Sequence, residues 1–222
     1  MTLDWNILAR EASRKAVHVA GVAIPLAYYF FLSRELVLLI LGAAVLAAAV
    51  LESIRLSGNP IFPGLLMRGY EEKGVIGGYF FALLSSFLAV FLFDKAVAVA
   101  AMLFLDVGDA ATGLAGAVMT MLTGRKEADK RDYGTQERSL AEELWYAFSH
   151  PKSPVLMAVM FAACGLIGFF LRPSLSPAAI AAGSLGAVVA DAFPWRFFGL
   201  TVDDNLSIPL LSGALMWLAA LL

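Results

Sequence analysis

Residues 96–122, AVAVAAMLFLDVGDAATGLAGAVMTML, are the stretch that decides the fold. A helix that crosses the hydrocarbon core of a bilayer needs about 20 mostly apolar residues, so this stretch is long enough to cross with a tilt or to extend beyond the membrane. Its only charged residues are Asp106 and Asp109. Because a carboxylate inside a membrane segment is energetically expensive, the pair marks a candidate functional site.

The composition of the whole chain requires lipid as its main solvent. Of its 222 residues 60% are hydrophobic and only 15% are charged, and the mean hydropathy is +0.80. Soluble domains are about 45–50% apolar. The net charge of -2 does not bear on nucleic-acid binding, but the chain has no dense basic tail, and we expect no nucleic-acid partner. The single Cys164 excludes a disulfide framework or a cysteine metal site.

Six further apolar stretches are long enough to be spans. We therefore predict an all-α, polytopic integral membrane protein of about seven transmembrane helices, with residues 1–222 in a single membrane domain. The sixth stretch is the weakest, because Ser176 and Pro177 open it and glycines interrupt it. The predicted spans are residues 16–33, 35–54, 75–93, 96–122, 154–171, 176–194 and 205–222.

The distribution of lysine and arginine predicts the orientation. Only Arg34, Lys95 and Arg172, three of the sixteen basic residues, fall on one side of this topology. The positive-inside rule then places the N-terminus and the two long loops, about 55–74 and 123–153, in the cytoplasm.

The aspartates of the fourth span have chemistry consistent with a metal site. Asp106 and Asp109 are three residues apart, which places them on one face of an α-helix. Two such carboxylates repel each other unless a cation or a shared proton lies between them, and Mg²⁺ binds carboxylates together with phosphate oxygens. Structural pairing with arginines and ion or proton translocation are the alternative interpretations.

Small residues follow the same helix at four-residue spacing. Gly108, Thr112 and Gly116 form a stripe that allows close approach of a neighbouring helix or a ligand. Such a stripe also permits a homodimer.

The N-terminal sequence REASRKAVH, residues 10–18, carries a second polar group. Glu11, Arg14 and His18 share one helical face, and Lys15 lies beside them. Arginine and lysine can bind phosphates at this entry to the membrane. Positive-inside anchoring also explains Arg14 and Lys15, and His18 can be a buried, hydrogen-bonded residue without chemistry.

A third polar group precedes the last span. Asp203, Asp204 and Asn205 are good helix N-caps, but capping explains only one or two of them, and Asp191 is nearby. Acidic and basic groups from separate segments are thus predicted at the cytoplasmic face. That combination suits a phosphotransferase or nucleotidyltransferase that acts on a membrane alcohol, because phosphoryl transfer depends on positioning and charge neutralisation.

These motifs, in this order, resemble those of the membrane polyprenol kinases, a family that includes dolichol kinase, phytol kinase and farnesol kinase. The resemblance covers nearly the whole chain, including EEKGVIGGYFF at 71–81, which resembles the opening of the family's third span. The family's E-x-x-R-K-x-x-H is matched by Glu11, Arg14, Lys15 and His18, its G-D-x-x-A/T by Gly108, Asp109 and Thr112, and its D-D-N-L-x-x-P-L-x-S/A-G by residues 203–213.

The resemblance implies CTP-dependent phosphorylation of an isoprenoid alcohol, with Mg²⁺ or another divalent cation, at the cytoplasmic face. The implied catalytic residues are Asp109, His18 and Asp204. The implied phosphate-binding residues are Arg14, Lys15, Lys73, Arg138 and Asn205, and the implied metal ligands are Asp106, Asp109, Asp203 and Asp204.

Three other activities remain open. Membrane enzymes that make CDP-linked lipids and CTP-dependent diacylglycerol kinases share the use of CTP and metal. An ion-coupled transporter belongs to a different class and would use Asp106, Asp109, Asp191 and Glu52. It predicts charges at mid-membrane depth.

One motif departs from the family pattern. The family's K-S/T-x-E-G-S is matched best by GTQERSLA at 134–141, where Gly134 replaces the lysine and Arg138 replaces the glycine. Glu137 keeps its place, and Arg138, Lys130 or Arg131 would supply the missing charge. A changed donor, a changed substrate or reduced activity is the other interpretation.

Overall fold

The computed structural model describes residues 5–58, 76–124 and 139–222, and in the first helix it leaves aside the side chains of residues 6, 7, 10, 14 and 17. These residues form ten α-helices, one π-helical segment and a two-stranded hairpin. The helices are α1 Trp5–Gly21, α2 Ala23–Phe30, α3 Arg34–Leu56, α4 Gly78–Leu92, α5 Lys95–Leu103, the π-helical segment Phe104–Asp109, α6 Ala110–Thr123, α7 Leu140–Ser149, α8 Pro154–Phe170, α9 Pro177–Ala192 and α10 Asp204–Ala220. The strands are β1 Arg196–Phe197 and β2 Leu200–Thr201.

The predicted all-α class is confirmed, and membrane-type helices are present. Within the described ranges, two helices are long and apolar enough to cross a membrane: α3, with 23 residues, and the continuous helix Lys95–Thr123, with 29 residues. A third is obtained if α7 and α8, which meet at an angle of 89°, are counted together. Seven spans and a cytoplasmic N-terminus stay predictions.

The helix Lys95–Thr123, here called the central helix, is the core of the molecule. Of its most apolar window 72% is buried inside the protein, against 22% for α3. Helices α1, α4, α8 and α10 all contact it. The central helix therefore packs mainly against protein, whereas α3 leaves most of its apolar surface uncovered by the rest of the described chain.

The first predicted span, 16–33, is not one helix. Helix α1 ends at Gly21 and α2 begins at Ala23. Pro25 explains the break, because its ring nitrogen has no hydrogen to donate to the carbonyl of Gly21. The break also brings the Gly21 backbone close to the central helix, where a Cβ on Gly21 would lie 2.8 Å from Asp106 Oδ1.

The small-residue stripe of the central helix packs within the chain. A Cβ on Gly108 would lie 2.9 Å from Met160 Sδ and 3.1 Å from Cys164 Sγ, and one on Gly116 would lie 3.6 Å from Leu156 Cδ1. All three partners belong to α8. The stripe is thus covered by α8, and a homodimer would need another surface.

Helices α9 and α10 pack so closely that α9 needs a glycine. A Cβ on Gly186 would lie 3.0 Å from both the Leu211 carbonyl oxygen and Ser212 Cα, which are backbone atoms that cannot move alone. We expect Gly186→Ala to lower the free energy of unfolding by about 1–3 kcal/mol, as overpacked cores do. Thermal unfolding in detergent measures this.

Gly165→Ala on α8 is the matched control for this prediction. A Cβ on Gly165 would have none of the described atoms within 4 Å. Equal melting temperatures for the two variants would contradict the close packing of α9 on α10.

Candidate functional site

Three helices bring three buried carboxylates together. Asp109 ends the π-helical segment, Asp191 lies in the last turn of α9, and Asp204 is the first residue of α10. One oxygen of each lies within 4.8 Å of the other two, so they form a group able to hold a metal ion. Their exposed fractions are 3%, 4% and 4%. We call Asp109, Asp191 and Asp204 the carboxylate cluster.

The first cation beside the cluster is Lys15. Its ammonium donates to Asp109 Oδ2, and both residues are buried. Glu11 Oε1 lies 3.9 Å from the same nitrogen, and His18 Nε2 lies 3.7 Å from Asp109 Oδ2. A Cβ on Gly113 would overlap the Lys15 side chain, so the glycine makes room for this ion pair. Helix α1 thus contributes Glu11, Lys15 and His18 to one site.

The second cation is Lys152, in the link between α7 and α8. Its Nζ lies 2.6 Å from Asp191 Oδ1, and its backbone N–H donates to the Ala192 carbonyl at 2.8 Å. Burial by itself lowers the pKa of Lys152, but the carboxylate cluster, above all Asp191, outweighs that effect and raises it. Lys152 is therefore charged, and its side chain is still 31% exposed.

Asp106 does not join the cluster. The sequence prediction placed Asp106 and Asp109 on one face of an α-helix, but residues 104–109 are π-helical. The wider π turn changes the angle between residues three apart, and such turns are frequent at functional sites. Asp106 lies against Gly21, whereas Asp109 faces Lys15 and the cluster.

Asp203 acts as a helix cap. Its Oδ1 accepts from the backbone N–H of Asn205 at 2.9 Å and from Asn205 Nδ2 at 2.7 Å. The Oδ1 atom of Asn205 is buried and has no hydrogen-bond partner among the described residues. Since a buried acceptor without a partner is costly, this oxygen is available to a ligand beside Asp204.

Several predicted residues cannot be placed in this site. Lys73 and Arg138 lie outside the described residues, as do positions 134–138 of the altered motif. Arg14 lies in α1, but its side chain is not among those that the structure describes.

Two residues of the site were not predicted from the sequence: Lys152 had no predicted role, and Asp191 was not among the predicted metal ligands. An acidic residue at the end of α9, just before the segment with Asp203 and Asp204, was the available signal for Asp191. Lys152 had none, because its partner is 39 residues away in the sequence.

The donor set suits a hard divalent cation. Mg²⁺ binds through one or two carboxylates together with phosphate oxygens and water, and the cluster offers three carboxylates. Lys15 and Lys152 pair with two of these carboxylates, Asp109 and Asp191. By its fold and site, the chain is a helical protein that contains membrane-type helices and a buried carboxylate–lysine centre.

No protein-family model matches this chain, and no curated protein and no solved structure matches it either.

Proposed function

We propose that this chain is a CTP-dependent kinase that phosphorylates a membrane isoprenoid alcohol of the dolichol, phytol or geranylgeraniol type. It would do so as an integral membrane protein of about seven spans with its site at the cytoplasmic face. The observation that carries the proposal is the carboxylate cluster, in which Lys15 pairs with Asp109 and Lys152 pairs with Asp191. Carboxylates that could bind a divalent cation therefore lie close to ammonium groups, the combination that phosphoryl transfer uses.

The residues divide into three roles. Asp109, Asp191 and Asp204 would hold Mg²⁺, which would neutralise developing charge on the nucleotide phosphates. Lys152 is partly exposed, so its ammonium can turn from Asp191 to a phosphate oxygen without leaving the site. Lys15 is buried and would hold Asp109 in place.

His18 is the candidate base for the alcohol. Its Nε2 lies 3.7 Å from Asp109 Oδ2, and the imidazole is partly exposed. A hydroxyl that approaches this ring from the lipid would donate to it while its tail stays among the apolar helices.

The ion-coupled carrier is less well supported. A carrier of this kind would use Glu52, but that carboxylate already accepts from Arg55 Nη2 at 2.5 Å, Gly77 N at 2.7 Å and the Tyr79 hydroxyl at 2.5 Å. These bonds join α3 to the start of α4 and give Glu52 a structural role. Two members of the cluster lie at helix ends, Asp191 in the last turn of α9 and Asp204 at the start of α10, whereas Asp109 lies at the middle of the central helix Lys95–Thr123.

A transfer assay tests the proposed function. Purified protein in detergent or liposomes receives Mg²⁺, γ-labelled CTP or ATP, and a panel of isoprenoid alcohols with diacylglycerol. We expect label in an isoprenoid phosphate with CTP. Labelled phosphatidate instead would indicate a diacylglycerol kinase, and pyrophosphate released from CTP when a lipid phosphate is supplied would indicate a cytidylyltransferase. No product in any combination would overturn the enzyme assignment.

A further inference from the structure

Glu143 of α7 is a buried carboxylate that the proposed chemistry does not use. Its side chain is 0% exposed. Burial of a carboxylate is costly unless hydrogen bonds and charges compensate it. Oε2 accepts from the backbone N–H of Phe198 and Oε1 from that of Gly199, both at 2.8 Å, and Arg196 Nε lies 3.7 Å from Oε1.

These partners form the turn of the β-hairpin. Phe198 and Gly199 have φ angles of 53° and 78°, the left-handed conformation of a two-residue hairpin turn. Such a conformation is costly for phenylalanine and persists only where the surroundings impose it. Two successive N–H groups in a turn make a concave anion site, and the Glu143 carboxylate occupies it.

The hairpin connects two members of the carboxylate cluster. Asp191 lies just before the connecting segment 193–203, and Asp204 follows it directly. The pairs Arg196 with Thr201 and Phe197 with Leu200 set the register of the hairpin. The Val202 N–H donates to the Trp195 carbonyl at 3.0 Å, which extends this pairing towards Asp204.

Aromatic packing ties the same segment to α7. The Phe148 ring of α7 lies 5.5 Å from Phe193 and 5.6 Å from Trp195, measured between centroids. The Trp195 indole N–H donates to the Val189 carbonyl in α9 at 2.9 Å. The α9 end of the segment is therefore held by these contacts, and Glu143 binds the backbone N–H groups of its turn.

We propose that Glu143 is a positioning residue for the carboxylate cluster: by holding the hairpin turn, it sets the placement of Asp204 relative to Asp191. The inference rests on the proposed function because its main measurement, Mn²⁺ affinity, uses the proposed divalent-cation site. Glu143 lies on α7, outside the three helices that supply the carboxylates, and acts on them through the hairpin.

Mn²⁺ affinity tests the proposal without any need for turnover. In Glu143→Gln one oxygen becomes an NH₂ that faces a backbone N–H, so one hydrogen bond is lost and two donors oppose each other. We expect Mn²⁺ affinity, measured by paramagnetic resonance titration in detergent, to fall about 10- to 100-fold, the range found when the supports of metal ligands are removed. Glu142→Ala is the control, because Glu142 is the neighbouring acidic residue on α7 and forms the capping box with Ser139.

A disulfide staple separates positioning from a merely structural role. Arg196→Cys with Thr201→Cys joins two residues that are paired across the hairpin. In Glu143→Ala, this staple is expected to restore Mn²⁺ affinity to near that of the stapled parent. A staple that forms without restoring affinity, or wild-type affinity in Glu143→Gln, would overturn the proposal.

Failure of the proposed metal site gives a different pattern. If the wild-type protein binds no Mn²⁺, the metal assignment falls, and hydrogen exchange decides the role of Glu143. We expect faster amide exchange in Glu143→Gln at residues 198 and 199 and also at 203–205. Unchanged exchange at 203–205 would show that the hairpin does not position Asp204.

Discussion

Asp109→Asn is expected to abolish lipid phosphorylation, with a loss of about a thousand-fold or more, as when a preorganised transition-state contact is removed. Asp109 is both a member of the carboxylate cluster and the acceptor of the Lys15 ammonium. Asparagine keeps the size and one oxygen of the side chain but removes the charge. The cation site and the anchor of Lys15 are therefore weakened together.

The same change is expected to affect stability less than activity. Removal of one partner of a buried ion pair costs about 3–5 kcal/mol when nothing replaces it, but the asparagine oxygen still accepts from Lys15, and Glu11 lies 3.9 Å away. The protein should therefore still fold and insert. Phosphate transfer and thermal unfolding, measured on the same preparation, separate the two effects.

A double variant separates the loss of the ion pair from the loss of activity. Asp109→Asn with Lys15→Met removes both charges, so it should recover stability without recovering transfer. Asp94→Asn is the matched control, since Asp94 is exposed and immediately precedes the central helix. Transfer within a few-fold of wild type in Asp109→Asn would refute the site assignment.

The second large effect is expected from Asp191→Asn, a change at a residue that the sequence did not predict as a metal ligand. Asp191 belongs to the carboxylate cluster and pairs with Lys152 at 2.6 Å. We expect Mn²⁺ affinity and phosphate transfer to fall by about a hundred-fold, because a proposed oxygen ligand loses its charge. This is the upper end of the range found when residues that support metal ligands are replaced. Lys152 is 31% exposed and can be solvated, so the fold should be retained.

Asp203→Asn is the matched comparison for Asp191→Asn. Both change a buried aspartate close to α10, but Asp203 caps the helix, and asparagine is as good a cap as aspartate. We expect less than about a tenfold loss of Mn²⁺ affinity for Asp203→Asn, below the range for metal-site supports. The reverse order of the two variants would favour the metal ligands predicted from sequence over the carboxylate cluster.

Part of the helical layout was predictable, because the starts of several helices have a local signal. The stretch predicted at 154–171 is the helix Pro154–Phe170, and the one predicted at 96–122 is the central helix Lys95–Thr123. Ser153 and Asp94, which precede these two helices, are good N-cap residues. The break in the first predicted span also has a local signal, Pro25, but the continuous apolar composition of that stretch favoured a single helix.

The sequence by itself determined that the chain is helical and that it contains apolar helices long enough to cross a membrane, and it marked Asp109 and Asp204 as candidate site residues. Charge in an apolar segment is visible without any structure, because its energetic cost does not depend on which neighbour compensates it. Lys15 and His18 were also marked by local pattern, as polar residues at the entry to the first predicted span, and the motif resemblance came after them.

Only the tertiary structure decided which carboxylates meet. Helical periodicity relates residues on one helix, and even there the π-helical segment separated Asp106 from Asp109. Asp191, Lys152 and Glu143 reach the site through contacts between distant segments. Such encounters depend on how α9, α10 and the hairpin pack in three dimensions, and no pattern confined to neighbouring residues encodes that packing.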